Sequence, residues 1–276
     1  MTPDSEIPPA LAAKLLIELT AIVARASALI RAVSPATVSH RLKPDQSPVT
    51  AADEASEATI LDGLARLLPN VPVISEEMAS GAAPPALDRS FIVVDPLDGT
   101  REFLAGRDEF TVNLAIITRG VPIAGIIAAP NRCLVWRGII GGQAERLRLL
   151  PDGADQPQPI STRRWPSQGA VAVMSRSHLD PNTEAFLARL APITRNPSGS
   201  AIKFCQIAEG AADVYPRLAT TCEWDVAAGH ALIVAAGGIV TTPQGTPLPY
   251  GRVAENFRVP AFIAWGDPAK AASVSS

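Results

Sequence analysis

The chain is poor in cysteine: its 276 residues hold three, Cys133, Cys205 and Cys222, too few and too scattered for a disulfide framework or a C-x-x-C metal site. A reducing cytoplasm is the expected compartment, and Cys205, inside a helical pattern, reads as a small buried thiol. No segment reaches the ~20 uninterrupted apolar residues of a membrane-spanning helix. No basic amphipathic stretch asks for a membrane surface either, so attachment at the inner membrane is left open only as a peripheral one. The N-terminal stretch starts with acids and prolines and carries Glu18, Arg25 and Arg31 within its apolar pattern, so the basic start and apolar block of a secretory signal are missing. A basic surplus is missing too. With 24 Lys and Arg against 27 Asp and Glu, the net charge of −3 offers no long-range attraction to a polyanion, which argues against a nucleic-acid partner. An anionic substrate would have to be met by bound cations and a few local basic residues. No internal repeat or low-complexity tract is visible.

What is present suits a folded enzyme. Hydrophobic residues make up 47% of the chain, enough for one large or two intimately packed domains. Leu11, Leu15, Leu19, Ile22, Ala26, Leu29 and Val33 recur at helical spacing and predict a helix over about 9–33. A second helix is expected from Ala51 to Leu68. Strands follow at Val71 to Ile74, Phe91 to Val94, Thr111 to Thr118, Pro122 to Ala128 and Cys133 to Arg137, with another after Gly141-Gly142; Arg119-Gly120 reads as a hairpin turn. This half should be helices laid on a largely antiparallel sheet. The polar, proline-rich stretch from Pro151 to Pro159 is the candidate boundary between a domain over 1–155 and one over 156–276. Beyond it, strands at Ala170 to Met174, Val214-Tyr215, Gly238 to Thr242 and Ala261 to Trp265 alternate with helices. Asp180-Pro181 caps one to about Leu190, Ser200 to Glu209 forms another, and Glu223 to Ala236 a third.

The chemistry is concentrated at element ends. Asp95-Pro96-Leu97-Asp98-Gly99-Thr100 follows the apolar run Phe91 to Val94 and sets two carboxylates, a kink and a hydroxyl where a buried strand should stop. Such strand ends are where open α/β sheets gather ligand-binding groups, and hard oxygen donors suit Mg²⁺. Each acid has a plainer explanation. Asp-Pro-x-Asp-Gly can simply turn the chain, Glu76-Glu77 can be a solvated pair, Asp53 can complete a capping box with Thr50, and Asp225 can stabilise a helix N-terminus. Taken singly these suffice. They do not explain four such acids together in these local sequences.

On those residues the chain resembles the inositol monophosphatase-like family of magnesium-dependent, lithium-sensitive phosphatases, over essentially everything after the first helix. The signature segments stand as Asp95 to Thr100 and Trp224 to Gly229, with Glu76 and Asp53 in their expected places. The continuation Arg101-Glu102-Phe103, with the segments Met174 to His178, Gly199 to Cys205, Ala208 to Gly210 and Tyr215 to Arg217, is similar to the 3′(2′),5′-bisphosphate nucleotidases of the bacterial CysQ type. The resemblance implies a five-layered αβαβα sandwich with the site at the seam of the halves. It also implies two or three Mg²⁺ ions: one on Glu76, Asp95 and the Leu97 carbonyl, a second on Asp95, Asp98 and Asp225, and a weaker third at Asp53. Asp53 and Thr100, with Glu76, would serve catalysis by preparing water. Gly99 and Thr100 would cradle the phosphate, with Asp225 also facing the substrate. Ser200, Lys203, Arg217 and His178 would meet the nucleotide, although Lys203 also reads as a solvated helix residue and His178 as a loop histidine. His230 is expected to be structural. The implied reaction removes the 3′-phosphate of adenosine 3′,5′-bisphosphate to give AMP, in sulfur assimilation. Alternatives are an inositol 1-phosphatase or other small sugar-phosphate phosphatase, and more remotely a non-catalytic nucleotide sensor. Pairing of two copies is common in the family, so a homodimer is an option. The Pro- and Ala-rich stretch from Ala79 to Leu87 departs from the pattern beside the first metal.

Overall fold

A computed structural model describes residues 6–43, 46–79, 87, 89–176, 180–190 and 192–275. The chain opens with α1 (Pro9–Ala32), whose apolar stripe of Ala12, Leu19, Val23, Ala26 and Ile30 is buried. A short antiparallel hairpin follows, β1 (His40–Leu42) and β2 (Pro48–Thr50). Thr50 then caps α2 (Ala51–Leu67), its backbone N–H and hydroxyl both donating to Asp53. Next come β3 (Val73–Ser75), the single turn α3 (Glu76–Ala79), β4 (Ser90–Asp98) and α4 (Thr100–Leu104). β5 (Thr111–Thr118), β6 (Val121–Ala129), β7 (Leu134–Ile139), β8 (Ala144–Leu150) and β9 (Gly153–Ile160) complete a seven-stranded sheet in the order β3 to β9. Only the β3–β4 pair is parallel.

This sheet is covered on both faces, and the strands show it. Ile92, Val94, Leu114 and Ile116 face one hydrophobic cluster with α1 and α2, while the alternating Phe91, Val93, Ala115 and Ile117 join the other. Side chains two apart share a face, so near-continuous apolar runs are what a doubly covered sheet demands. Arg119 and Gly120 both take positive φ at the β5–β6 turn, the geometry that matches the twist of a tight hairpin.

The second half supplies β10 (Ala170–Ser175), α5 (Pro181–Arg189), β11 (Ile193–Ser198), α6 (Ile202–Ala208), β12 (Val214–Arg217), β13 (Thr221–Cys222), α7 (Glu223–Ala235), β14 (Ile239–Thr241), β15 (Arg258–Val259), β16 (Phe262–Trp265) and α8 (Pro268–Ser275). Five of its strands form a sheet in the order β11-β10-β12-β16-β14, and β13 pairs with β15. α6 and α7 lie between the two sheets, and α5 and α8 cover the outer face of the second. The layers therefore run α1 and α2, seven strands, α6 and α7, five strands, α5 and α8, the expected αβαβα sandwich. α7 is apolar nearly all round because it is enclosed on both sides. Its contact with β6 is so close that a Cβ at Gly125 would lie 2.2 Å from the Ala228 carbonyl oxygen.

Several sequence expectations shift. The stretch from Pro151 to Pro159, read as an irregular connection, is mostly β9, hydrogen-bonded to β8; the passage between sheets falls at 161–169 instead. The first strand begins at Val73 rather than Val71, and the helix expected from Ser200 begins at Ile202. The β1–β2 hairpin, β11, the β13–β15 pair and α8 were not anticipated. Residues 80–86 of the Ala79 to Leu87 stretch lie outside the described residues. Among the described residues no helix is long and apolar enough to cross a membrane.

Candidate metal and substrate site

The site forms where β3, β4 and the N-terminus of α7 converge. β4 runs into the signature with its ladder to β5 interrupted: Asp95 opposes Asn113 and Asp98 opposes Thr111, with the Pro96-Leu97 pair bulged between them. Pro96 has no N–H to give the ladder, its carbonyl instead accepts from Ser56 Oγ at 2.7 Å, and the bulge re-aims the two acids. Leu97 N–H donates to Asp95 Oδ1 at 3.1 Å. Glu76 stands at the C-terminal end of β3, and Asp225 on the first turn of α7, where Cys222 N–H and Thr221 Oγ1 donate to its Oδ2.

Glu76, Asp95 and Asp225 each present a carboxylate oxygen within 4.8 Å of the other two. Burial, followed by repulsion from Glu76, Asp98 and Asp225, holds the Asp95 carboxyl well above the usual carboxylate range. Burial also pushes Glu76 up to about 7, opposed by Lys43 and reinforced by Asp225. A set of hard oxygen donors that repel one another is what a divalent cation stabilises, and the donors fit Mg²⁺. Asp98 lies beside this trio rather than within it: its Oδ2 accepts from Ser200 Oγ at 2.7 Å and from Asn113 Nδ2 at 3.4 Å. Asp53 is both cap and partner of the site, since its Oδ2 serves Thr50 while its Oδ1 accepts from Thr100 Oγ1 at 3.0 Å. The Leu97 carbonyl oxygen is 3.2 Å from the same hydroxyl.

Around these acids opens a cavity of about 610 Å³, walled by both halves. Gly99, Thr100, Ser200, Lys203, Arg217 and Asp225 all line it. Gly99, at φ 92°, gives the chain the left-handed turn that starts α4. Lys203 is no solvated helix residue: it is buried, and its ammonium donates to the Ser200 carbonyl at 2.5 Å and lies 5.2 Å from the Tyr215 ring centroid. Arg217 lies deeper than an ordinary surface arginine, and its Nε is buried without a hydrogen-bond partner among the described residues, as are Ser75 Oγ, Asn113 Oδ1 and Ser198 Oγ. Arg217 lines the cavity and the other three atoms sit on elements that adjoin site residues, the pattern left where ligands complete a polar shell; Arg252 Nε, away from the cavity lining, is orphaned as well. His178 lies outside the described residues. His230 donates nothing to the cavity; its Nδ1 pairs with Tyr250 Oη at 2.9 Å, and burial lowers its pKa to about 4.

Sequence reasoning missed Lys43. From the β1–β2 hairpin its side chain, 4% exposed, carries the ammonium to Glu76 at 2.7 Å and Glu77 at 2.6 Å. Burial disfavours that charge, yet the two carboxylates more than compensate and hold it above its ordinary pKa. A Lys-Pro in a short polar connection carries no signal of this; only the hairpin's docking on α3 reveals it.

A model described as the inositol monophosphatase family matches residues 12–263. The chain belongs to the inositol monophosphatase family. It is 40% identical over 220 residues to the 3′(2′),5′-bisphosphate nucleotidase CysQ of Escherichia coli (strain K12), covering 80% of this chain and 86% of that protein. Among solved structures, CysQ from Bacteroides thetaiotaomicron, described as a bacterial member of the family, aligns with a TM-score of 0.72 at 33% identity over 90% of this chain and 96% of its own. The inositol monophosphatase from Anabaena aligns with a TM-score of 0.74 at 26% identity, over 96% and 95%. The five layers are thus the fold of the inositol monophosphatase family.

Proposed function

We propose that this protein is a Mg²⁺-dependent phosphoric monoester hydrolase that removes the 3′-phosphate of adenosine 3′,5′-bisphosphate, giving AMP and phosphate. The observation that carries this reading is the meeting of Glu76, Asp95 and Asp225 in one cavity with Thr100, which is hydrogen-bonded to Asp53 behind it, and with Ser200, Lys203 and Arg217. The relatives named as 3′(2′),5′-bisphosphate nucleotidases support the nucleotide over an inositol phosphate.

A phosphate monoester dianion repels nucleophiles, so the site must neutralise charge and prepare water. Mg²⁺ held by Glu76, Asp95, Asp225 and the Leu97 carbonyl, with Asp98 adjoining, would supply Lewis-acid neutralisation and acidify a bound water. The chain's own groups do the rest. Thr100 donates its hydroxyl hydrogen bond to Asp53, which leaves its lone pairs to accept from a water and fix that water's orientation. Burial raises the Asp53 pKa, against the bonds from Thr50 and Thr100, so this carboxylate is a better proton acceptor than a solvated one. The backbone at Gly99 and Thr100 turns toward the phosphate. Arg217 offers a planar fork for phosphate oxygens, while Lys203, anchored on the Ser200 carbonyl, contributes charge from beneath. As the water oxygen bonds to phosphorus its proton passes through the Thr100 hydroxyl to Asp53, while the P–O bond to the ribose breaks and the 3′ oxygen leaves, taking a proton from solvent.

Phosphate release from adenosine 3′,5′-bisphosphate and from inositol 1-phosphate, measured side by side in Mg²⁺, tests the assignment. A preference of about tenfold or more for inositol 1-phosphate would reject it. Asp98→Asn should lower kcat by at least about a hundredfold while the chain still melts cooperatively. A near wild-type rate would remove Asp98 from the reaction.

A further inference from the structure

The loop between α4 and β5 carries Glu109, and no role in the reaction assigned above uses it. Its carboxylate accepts from Arg176 Nε at 3.0 Å and Nη2 at 2.8 Å, and from the Gly199 N–H at 3.1 Å. Arg176, at the cavity end of β10, also donates to the Pro197 carbonyl at 2.8 Å, and its own N–H to the Ser198 carbonyl at 3.3 Å. Glu109 is 14% exposed in its side chain, so this fork is largely shielded on the acid's side. The fit around it is close. A Cβ at Gly199 would lie 2.8 Å from the Glu109 carbonyl oxygen, and one at Gly99 would lie 3.2 Å from the same atom.

One residue therefore abuts both the glycine of the phosphate turn and the glycine of the opposite wall. The next residue after Gly199 is Ser200, held at φ 52°. Its hydroxyl donates to Asp98 Oδ2 at 2.7 Å and is 2.5 Å from Thr111 Oγ1.

We infer that the Glu109–Arg176 pair is a clamp across the seam: Glu109 is a positioning residue that fixes the Ser198 to Ser200 turn against the signature loop, and so sets the width of the nucleotide-binding wall without touching the cations. A bidentate arginine–carboxylate pair fixes distance and plane together, which a lysine in the same place would not. The inference rests on the nucleotide reading above in naming its ligand.

The experiment is a double-mutant cycle with Glu109→Gln, Arg176→Gln and the pair, following KM, kcat, the affinity for AMP in saturating Mg²⁺, and Mg²⁺ uptake without nucleotide. Each single variant should raise KM and weaken AMP by about tenfold, and the double variant should be no worse than either, because both remove one interaction. kcat and Mg²⁺ uptake should stay within about twofold of wild type. If Arg176→Gln weakens AMP while Glu109→Gln does not, the arginine acts directly on the nucleotide and the clamp is overturned; additive losses or an unchanged KM overturn it as well. Should Glu109→Gln fail to fold, Arg176→Lys keeps the charge and loses the fork, and a wild-type KM in that variant overturns the inference. Wild type is first assayed on both adenosine 3′,5′-bisphosphate and inositol 1-phosphate. A wrong substrate assignment shows there alone, and the cycle is then run on whichever substrate wild type hydrolyses.

Discussion

A buried ammonium between two acids makes Lys43 the residue on which the cation-free site most depends. Its ion pairs with Glu76 and Glu77 are the compensation that lets Glu76 approach Asp95 and Asp225 at all. Taking away one partner of a shielded pair leaves the other charge uncompensated, a loss of roughly 2–4 kcal/mol when part of the pair still sees solvent. Lys43→Met should therefore lower the melting temperature by several degrees in chelator. Added Mg²⁺ should return much of that loss, since a divalent cation takes over the same neutralisation. Equal melting of variant and wild type in chelator would show that the ammonium is not stabilising the acids. The contrast with Asp95 is instructive. The signature was legible because two acids, a proline and a glycine crowd six residues, whereas the partner of Glu76 comes from 33 positions away on a hairpin with no periodicity, and only tertiary docking could reveal it.

The elements that position the site act through backbone contact. α7 delivers Asp225 only because β6 lets it lie flush: a Cβ at Gly125 would meet the Ala228 oxygen at 2.2 Å and its Cα at 2.9 Å, atoms that cannot swing aside as a side chain would. Gly125→Ala should force the helix outward, destabilise the chain by about 1–3 kcal/mol, and weaken Mg²⁺ uptake in calorimetry as Asp225 leaves the trio. Unchanged uptake together with unchanged melting would mean the helix is not set by this contact. The same physics separates the elements that were legible from those that were not. α1, α2 and β4 to β6 pack against covering layers, so burial marks the helices with recurring apolar positions and the strands with near-continuous apolar runs. β9 and β11 are the edge strands of their sheets and are exposed along most of their middles. β9 can hold Pro157 and Pro159 because an edge needs ladder bonds on one side only, and without a buried face no alternation marks either strand.

At the scale of the molecule, the seam between two sheets is where the fold places its most unfavourable charges. Burial raises Asp53, Glu76, Asp95 and Asp98 together, so without a cation the folded chain holds protons that the unfolded chain has released. The folded pKa of about 7 for Glu76 lies above its ordinary 4.5, and stability from such groups falls as pH rises through that window. His230 works in the opposite sense. Its folded pKa of about 4 lies below the ordinary 6.5, so it destabilises the fold as pH drops from 6.5 toward 4. In chelator the melting temperature should therefore pass through a maximum in mildly acid solution and decline from about pH 6 to pH 8. Millimolar Mg²⁺ should flatten that decline, with the largest gain at the alkaline end, where the acids are bare. Glu76→Gln separates the contributions, because it removes one titrating group and one donor at once. The variant should melt higher than wild type at pH 8 in chelator and respond less to Mg²⁺. A wild-type profile that is level from pH 6 to pH 8 and indifferent to Mg²⁺ would show that these carboxylates neither repel one another nor await a cation, and the chemistry assigned to the seam would fall with them.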